Sequence, residues 1–284
     1  MARRFLKDRQ YFHGGRAKFM YELMGRYFAK AEQWRFMNYG YAFANDADAL
    51  ALDEADLFER YNAQLYHIVA AQKDLTGLDV LDVGSGRGGG ASYVHRYLGP
   101  ASTTGMDLAD SAVAFCNRVH RGIDGLRYVQ GDAQAMPFAD ESFDVVINVE
   151  SAHCYPDKPA FLAEVMRVLR PGGSFFYTDF TAAGQPHELD LPAAGFEGCE
   201  ERDVTAGIVK ALTVDDVRRK QEIVENVPMG LRWLGNLWSG RPGSWIYKDF
   251  EEGRRQYLVC RADKRGNVPS GAMVEPESAV VARV

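Results

Sequence analysis

The sequence predicts an α/β fold whose parallel sheet is built from βαβ units. Two observations support this: between residues 78 and 181 short apolar runs alternate with helical patterns, and one of these runs, ending at Val83, continues into a glycine-rich turn over residues 84–90. A helical pattern follows the turn. Such a strand–turn–helix junction is typical of a nucleotide-type cofactor site, because glycine accommodates positive φ and the first N–H groups of the helix are free to bind polar groups.

The composition is that of a globular enzyme-sized protein. The 284 residues are 46% hydrophobic and 25% charged, enough for one large α/β domain or for a domain with a helical cap. The net charge of −6 argues against a nucleic-acid partner. Because the sequence contains neither an apolar run of membrane-spanning length nor a signal-like segment, we expect a cytoplasmic protein without a membrane partner.

The four cysteines, at positions 116, 154, 199 and 260, are widely spaced. They form no Cys-x-x-Cys pair and have no histidine at zinc-ligand spacing. The sequence therefore predicts neither a disulfide framework nor a metal site.

The segment before the glycine turn, residues 1–75, has a helical pattern rich in aromatic residues, and a second helical run covers residues 53–73. Most of these aromatics are expected to pack between helices and core. A sharper interpretation is a cap over a binding pocket, in which Tyr11, Tyr21 and Tyr27 are candidates for contact with a substrate.

The alternating region contains five predicted strands and three predicted helices. The strands are Asp79–Val83, Ser102–Asp107, Leu126–Gln130, Phe143–Val149 and Ser174–Phe180, and the helices cover about 89–98, 110–121 and 158–169. Proline and glycine at positions 171–173 are expected to stop the last helix and turn the chain toward the fifth strand.

The remaining part, residues 182–284, has a looser pattern. Residues 229–247 carry three of the four tryptophans and are expected to line a site. The predicted elements are a strand over Phe196–Val204, a helix over Val214–Asn226 with Thr213 as its N-cap, and a strand over Gln256–Ala262.

The glycine motif alone fits two cofactors. Gly84-x-Gly86-x-x-Gly89 satisfies the dinucleotide pattern, and Asp82-x-Gly84-x-Gly86-x-Gly88 satisfies that of S-adenosylmethionine (SAM) enzymes. A loop without a ligand is less compatible with the flanking strand and helix. Asp107, about twenty residues further on at the end of the second strand, can accept ribose hydroxyls in either case.

Further motifs follow at intervals: Gly131-Asp132-Ala133 after the third strand, the run Phe143–Val146 in the fourth, and Val168–Gly173 before the fifth. With them, residues 76–181 resemble the class I SAM-dependent methyltransferases. The resemblance implies SAM as cofactor and a Rossmann-like, seven-stranded, mostly parallel sheet with an antiparallel C-terminal hairpin. It also implies an N-terminal helical cap over residues 1–75, a core over 76–181, and a C-terminal part of the same domain over 182–284.

The same resemblance implies roles for individual residues. The glycine loop would meet the methionine and ribose parts of SAM, Asp107 the ribose and Asp132 the adenine amine, and the residues after the fourth strand would lie beside the methionine end. The implied cofactor contacts are Asp82, Gly84, Ser85, Gly86, Gly88, Asp107, Leu108, Asp132, Ala133, Asn148 and Val149.

Three stretches resemble a narrower group: residues 84–92, Phe115-Cys116 with His120, and residues 150–155. They look like small-molecule methyltransferases of natural-product biosynthesis, notably phthiotriolone-type ketone methyltransferases and sugar and polyketide O-methyltransferases. This implies a small, partly apolar acceptor and favours O-methylation. C-methylation of an electron-rich ring such as an indole is the alternative, followed by N-methylation; a nicotinamide-dependent oxidoreductase and a non-catalytic SAM-binding protein are the rivals from other classes.

Candidate catalytic residues follow the fourth strand. His153 can act as a base, because neutral imidazole accepts a proton near pH 7; a structural hydrogen bond in the loop is the alternative. Glu150 is expected to be a ligand or loop organiser, since an exposed carboxylate is a weak base. Metal-dependent methyl transfer is disfavoured. The expected partner is the small-molecule acceptor, and a homodimer is compatible with the sequence.

Overall fold

The computed structural model describes residues 31–185, 187–232, 236 and 239–266. Seven strands in this part of the chain form one sheet. They are β1 (Asp79–Val83), β2 (Ser102–Asp107), β3 (Leu126–Gln130), β4 (Phe143–Val149), β5 (Leu169–Ala182), β6 (Phe196–Asp203) and β7 (Arg255–Lys264). Their order across the sheet is β3-β2-β1-β4-β5-β7-β6.

The strands β1 to β5 pair in parallel, and β7 lies antiparallel between β5 and β6. This confirms the predicted fold class: a seven-stranded, mostly parallel sheet that ends in an antiparallel hairpin. The strand order reverses between β1 and β4, so the carboxyl ends of the central strands open a crevice there.

Seven α-helices are described. They are α1 (Arg60–Ala70), α2 (Gly89–Leu98), α3 (Asp110–Val119), α4 (Lys158–Val168), α5 (Thr205–Val214), α6 (Asp216–Asn226) and α7 (Trp245–Glu251). Short 3-10 helices cover Asp46–Asp48, Glu54–Glu59, Ala152–Cys154 and Met229–Leu231. None of the described helices is long and apolar enough to cross a bilayer.

The core has a layer on each face of the sheet, because successive strand residues point to opposite sides. In β1, Val80 joins a buried cluster with Leu65 of α1, whereas its neighbour Leu81 joins a second cluster with Phe161 of α4. All four side chains are fully buried. This packing holds the sheet rigid beneath the loops at its carboxyl edge.

The strands β1 to β4 occupy the residues predicted for them. The strand β5 is longer than predicted: it begins at Leu169, which pairs with Phe143, and passes through Gly172 at φ 80° before its regular pairing resumes. The helix α4 consequently ends at Val168, one residue before its predicted end, and the proline and glycines predicted to stop it lie inside β5.

The helix predicted over Val214–Asn226 was wrong in its start and its N-cap. Two helices meet at Asp215, which precedes α6, so Thr213 lies inside α5 and is not an N-cap. The Thr213 hydroxyl donates to the carbonyl of Val209, one turn earlier, at 2.7 Å. A threonine that bonds back within a helix has the same local sequence signal as a capping threonine.

Candidate active site

A cavity of about 390 Å³ lies at the carboxyl ends of β1, β2 and β4. Its volume is within the usual range of small-molecule sites. Five loops and the start of the described chain form its walls. They are residues 34–38, 84–87, 106–109, 131–134, 149–151 and 154–156, with Tyr66, Gly90 and Ala112.

The glycine turn forms the floor of this cavity. Gly84 has φ 77°, and a Cβ atom there would lie 2.3 Å from the Oγ atom of Ser151. Gly86 also has positive φ, 54°. Because any side chain at position 84 would collide with Ser151, glycine is required for the turn to approach both the ligand and the loop after β4.

Asp107 fixes the turn from the end of β2. Its carboxylate accepts hydrogen bonds from the backbone N–H groups of Gly86, at 2.8 Å, and Ala109, at 2.9 Å. A carboxylate has about four lone-pair sites, so it can accept ribose hydroxyls in addition.

Asp132 stands in the next wall, after β3. Its Oδ1 atom accepts from the backbone N–H of Gln134 at 2.9 Å and from the Gln134 side chain at 3.1 Å. Leu108 and Ala133 supply apolar surface beside it. An acceptor next to apolar surface suits an adenine ring that carries an amino group, so the residues present fit the SAM expected from the sequence.

The structure brings eight of the eleven predicted cofactor residues to the cavity wall: Gly84, Ser85, Gly86, Asp107, Leu108, Asp132, Ala133 and Val149. The other three, Asp82, Gly88 and Asn148, are absent from that wall. These three residues contact the wall from the interior of the protein.

Asp82 lies buried at the end of β1 and accepts from the hydroxyl of Tyr66 at 3.3 Å; burial raises its pKa to about 7. Gly88 precedes α2 at φ 80°, where a Cβ atom would lie 2.7 Å from the ring of Tyr128. The Asn148 amide donates to the carbonyl of Val83 at 2.9 Å and to the Ser151 hydroxyl at 2.7 Å, and so ties β1 to the loop after β4.

Residues 34–38 form another wall; the cap predicted over residues 1–75 includes them, but their attachment to the glycine turn was not predicted. The buried guanidinium of Arg87, inside the glycine turn, donates to the carbonyls of Trp34 and Ala31 and lies 3.7 Å from the ring centroid of Phe115. The only sequence signal was an arginine between glycines, which by itself is usually solvent-exposed.

Glu150 lies where β4 ends, at φ 50°. Its Oε1 atom accepts from the N–H of Tyr39 at 2.9 Å and from the hydroxyl of Tyr257 at 2.6 Å. Glu150 was expected from the sequence to be an exposed carboxylate, and this was wrong. The residue is partly buried, and burial raises its pKa to about 7. Its contacts are those of a residue that organises the loop.

His153 belongs to the 3-10 helix after β4, and its Nδ1 atom lies 2.9 Å from Oδ2 of Asp179 on β5. Burial alone would lower the pKa of His153, but the charge of Asp179 raises it well above its ordinary value. Burial would raise the pKa of Asp179, yet the charge of His153 holds it below its ordinary value. The two groups therefore form an ion pair at neutral pH.

An aromatic surface adjoins this pair; neither His153 nor these rings line the cavity described above. The ring centroid of Phe180 lies 5.2 Å from that of His153, 6.0 Å from that of Tyr39 and 6.2 Å from that of Phe250. Apolar surface beside a charged imidazole suits an acceptor with an apolar body and one polar end. The predicted contact residues Tyr11, Tyr21 and Tyr27 lie outside the described residues.

Comparison with known proteins agrees with this geometry. A family model described as "Methyltransferase domain" matches residues 81–177. A fatty-acid O-methyltransferase of Mycolicibacterium smegmatis is 54% identical over 228 residues, which cover 79% of this chain and 81% of the relative. A probable phthiotriol/phenolphthiotriol dimycocerosates methyltransferase 2 of Mycobacterium ulcerans is 42% identical over 229 residues, covering 80% of this chain and 88% of the relative.

Solved structures share the fold. The cyclase SpnF superimposes with a TM-score of 0.68 at 22% identity, covering 89% of this chain and 97% of its own. A geranyl diphosphate C-methyltransferase of Streptomyces coelicolor, solved with S-adenosyl-L-homocysteine, gives a TM-score of 0.63 at 17% identity, covering 87% of this chain and 96% of its own. At these identities the likeness extends to the fold alone.

Proposed function

The chain belongs to the class I SAM-dependent methyltransferases, and we propose that it esterifies the carboxylate of a fatty-acid-like acceptor. The observation that carries this proposal is the His153–Asp179 ion pair beside the aromatic surface of Tyr39, Phe180 and Phe250. It offers a positive hydrogen-bond donor next to apolar aromatic side chains. The 54% identity to a fatty-acid O-methyltransferase supports the same assignment.

In this proposal the chain holds SAM through the residues that line the cavity. Asp107 accepts the ribose hydroxyls, Asp132 accepts from the adenine amine, and Gly84 to Gly86 leave room for the methionine end. SAM supplies an electrophilic methyl group on a sulfonium. The task left to the protein is to hold the acceptor oxygen in line with that methyl group.

His153 is proposed to hold the acceptor oxygen in this position. With Nδ1 on Asp179, the ring presents Nε2–H to the acceptor, and its positive charge pairs with a carboxylate. A carboxylate is already deprotonated near pH 7, so its oxygen attacks without a base. Glu150 is proposed to fix the loop that carries His153, through its bonds from Tyr39 and Tyr257.

A second candidate is methylation of a hydroxyl with His153 as the base. The hydrogen bond between Nδ1 and Asp179 favours it, because a buried carboxylate orients an imidazole for proton abstraction at Nε2. Residues 1–75, with Tyr21 among them, are proposed to cap the acceptor in either case. Transfer of the methyl group to a carbon atom, in place of an oxygen, is the alternative outcome.

The experiment compares a long-chain fatty acid with the alcohol of the same chain length. The purified protein is incubated with SAM carrying a deuterated methyl group, and the products are analysed by mass spectrometry and NMR. A labelled methyl ester supports the proposal, a labelled ether supports the hydroxyl candidate, and a label on carbon overturns both. Turnover of an acid is expected to fall as pH rises through the pKa of His153, whereas turnover of an alcohol is expected to rise.

The setting of the reaction is also a proposal. Cys116, Cys199 and Cys260 are free thiols, which supports a reducing compartment such as the cytoplasm. An acceptor from specialised lipid or natural-product metabolism is consistent with the names of the relatives. Light scattering tests whether two chains form a homodimer.

A further inference from the structure

Three chemically reactive side chains meet outside the cofactor cavity. Glu201 on β6 and Cys260 on β7 are cross-strand partners, and His187 comes from the connection between β5 and β6. One nitrogen, one oxygen and one sulfur of these residues all lie within 4.8 Å of one another. None of the three lines the cavity described above.

The spacing suits one ion. The Sγ atom of Cys260 lies 3.8 Å from Oε1 of Glu201. In a tetrahedral zinc site, bonds of about 2.3 Å to sulfur and about 2.0 Å to oxygen separate the two ligand atoms by roughly 3.5 Å. Small side-chain movements are therefore sufficient for both atoms to bind the same cation.

His187 supplies the independent observation. Its side chain is 7% exposed, and its Nε2 atom is buried without a hydrogen-bond partner among the described residues. The ring is held in place by Tyr177, with ring centroids 4.5 Å apart. A buried ring nitrogen without a partner is costly, and a cation bound beside Glu201 and Cys260 would satisfy it.

We propose that His187, Glu201 and Cys260 bind a thiophilic divalent cation of the Zn²⁺ class. The ion takes the place of the Cys260 thiol proton, which passes to solvent, and a water or the thiol of Cys199, two residues before Glu201, completes the coordination. The site joins the β5–β6 connection to the hairpin and stabilises that edge of the sheet. The sequence predicted no metal site, because the three ligands come from three separate segments and have no motif spacing.

The test is metal binding by the full chain in a thiol-free reductant. Zn²⁺ is titrated against a chromophoric chelator, and Co²⁺ serves as a spectroscopic probe. One equivalent per chain and a thiolate-to-cobalt charge-transfer band are expected, together with a rise in Tm on adding Zn²⁺. Cys260→Ser and His187→Phe are each expected to weaken binding by more than about 100-fold, beyond what loss of an outer-sphere partner costs.

Cys154→Ser is the matched control, because Cys154 is a cysteine in another part of the fold, in the 3-10 helix after β4. It is expected to leave metal stoichiometry and the cobalt spectrum unchanged. Glu201→Ala serves as a second ligand variant, since Glu201 is exposed and its replacement leaves the core intact. The proposal is overturned if wild type gives no charge-transfer band, or if Cys260→Ser and Glu201→Ala bind Zn²⁺ like wild type while retaining SAM binding.

Discussion

The Nδ1 atom of His153 lies 2.9 Å from Oδ2 of Asp179, and the His153 backbone N–H donates to the same carboxylate oxygen at 3.2 Å. Asp179 is 1% exposed, whereas about a quarter of the His153 side chain is accessible. The carboxylate therefore fixes both the position of the loop and the orientation of the ring.

Replacing Asp179 with asparagine is expected to lower the pKa of His153 below its ordinary value, because burial then acts without the opposing charge. NMR titration of the His153 ring protons measures this directly. His67, whose pKa is lowered by burial alone, provides the internal control and should titrate as in wild type. An unchanged His153 titration in Asp179→Asn would contradict the ion pair.

The same variant has a pH-dependent effect on stability. The raised pKa of His153 means that the pair stabilises the fold at acidic to neutral pH and that this contribution is lost as pH rises through the raised value. The lowered pKa of Asp179 means that it is lost again as pH falls through that value. Urea denaturation is expected to show a deficit of about 3 kcal/mol for Asp179→Asn between about pH 5 and 7, shrinking toward both extremes.

Replacing His153 with glutamine separates acceptor chemistry from cofactor binding. Turnover is expected to fall by roughly 10²–10⁴ if His153 holds or deprotonates the acceptor, while the Kd for SAM stays within about twofold of wild type. Calorimetry and single-turnover assays provide the two measurements. Near-normal turnover would show that the aromatic surface positions the acceptor without help from the imidazole.

The sequence predicted the strands β1 to β4 to the residue, because short runs between turn signals alternate there with helical patterns, as in βαβ units. It also located the cofactor end of the cavity, since the motif residues follow directly on strand ends. What it missed depends on contacts distant in sequence. Asp179, on β5, reaches His153 across 26 positions, and nothing in its local sequence distinguishes it from a surface carboxylate.

The contacts of Arg87 were missed for the same reason. Its bonds to Ala31 and Trp34 span 56 and 53 positions, and they attach a cavity wall that has no motif of its own. For Glu150 an exposed carboxylate was expected from the sequence, whereas burial raises the pKa of this group in the structure. Periodicity therefore identifies elements and strand ends, whereas the burial of a single charged group follows from tertiary packing.

Replacing Arg87 with methionine is expected to lower the free energy of unfolding by about 2–4 kcal/mol, because the carbonyls of Ala31 and Trp34 lose charged donors. The Kd for SAM should rise by roughly tenfold as the wall over residues 34–38 loosens. Arg118→Met is the matched control: Arg118 also lies over Phe115, at 5.3 Å, but 49% of its side chain is exposed. Equal losses in the two variants would rule out a specific role for Arg87.

Replacing Asp107 with alanine is expected to raise the Kd for SAM about 100-fold, because the loss removes a charged acceptor for ribose and releases the Gly86 N–H. Isothermal titration calorimetry measures the change. Asp124→Ala, in an exposed loop before β3, is the control and should bind SAM like wild type. A Kd unchanged in Asp107→Ala would place the ribose elsewhere in the cavity.

Replacing Glu150 with glutamine isolates the cost of a buried carboxylate. The amide oxygen can still accept from Tyr39 and Tyr257, so the loop should keep its conformation. Because the pKa of Glu150 is raised to about 7, the native state holds one more proton than the unfolded state between about pH 4.5 and 7. This group alone should therefore lower wild-type stability by up to about 3 kcal/mol across that range as pH rises.

The measurement is the difference in unfolding free energy between Glu150→Gln and wild type as a function of pH. It is expected to grow in favour of the variant from about pH 4.5 to 7 and then to level off. Glu164→Gln is the control with the opposite sign, because its pKa is lowered by a hydrogen bond from Arg167. Its difference curve should be flat over the same range, so a slope shared by both variants would point to a general charge effect and not to the burial of Glu150.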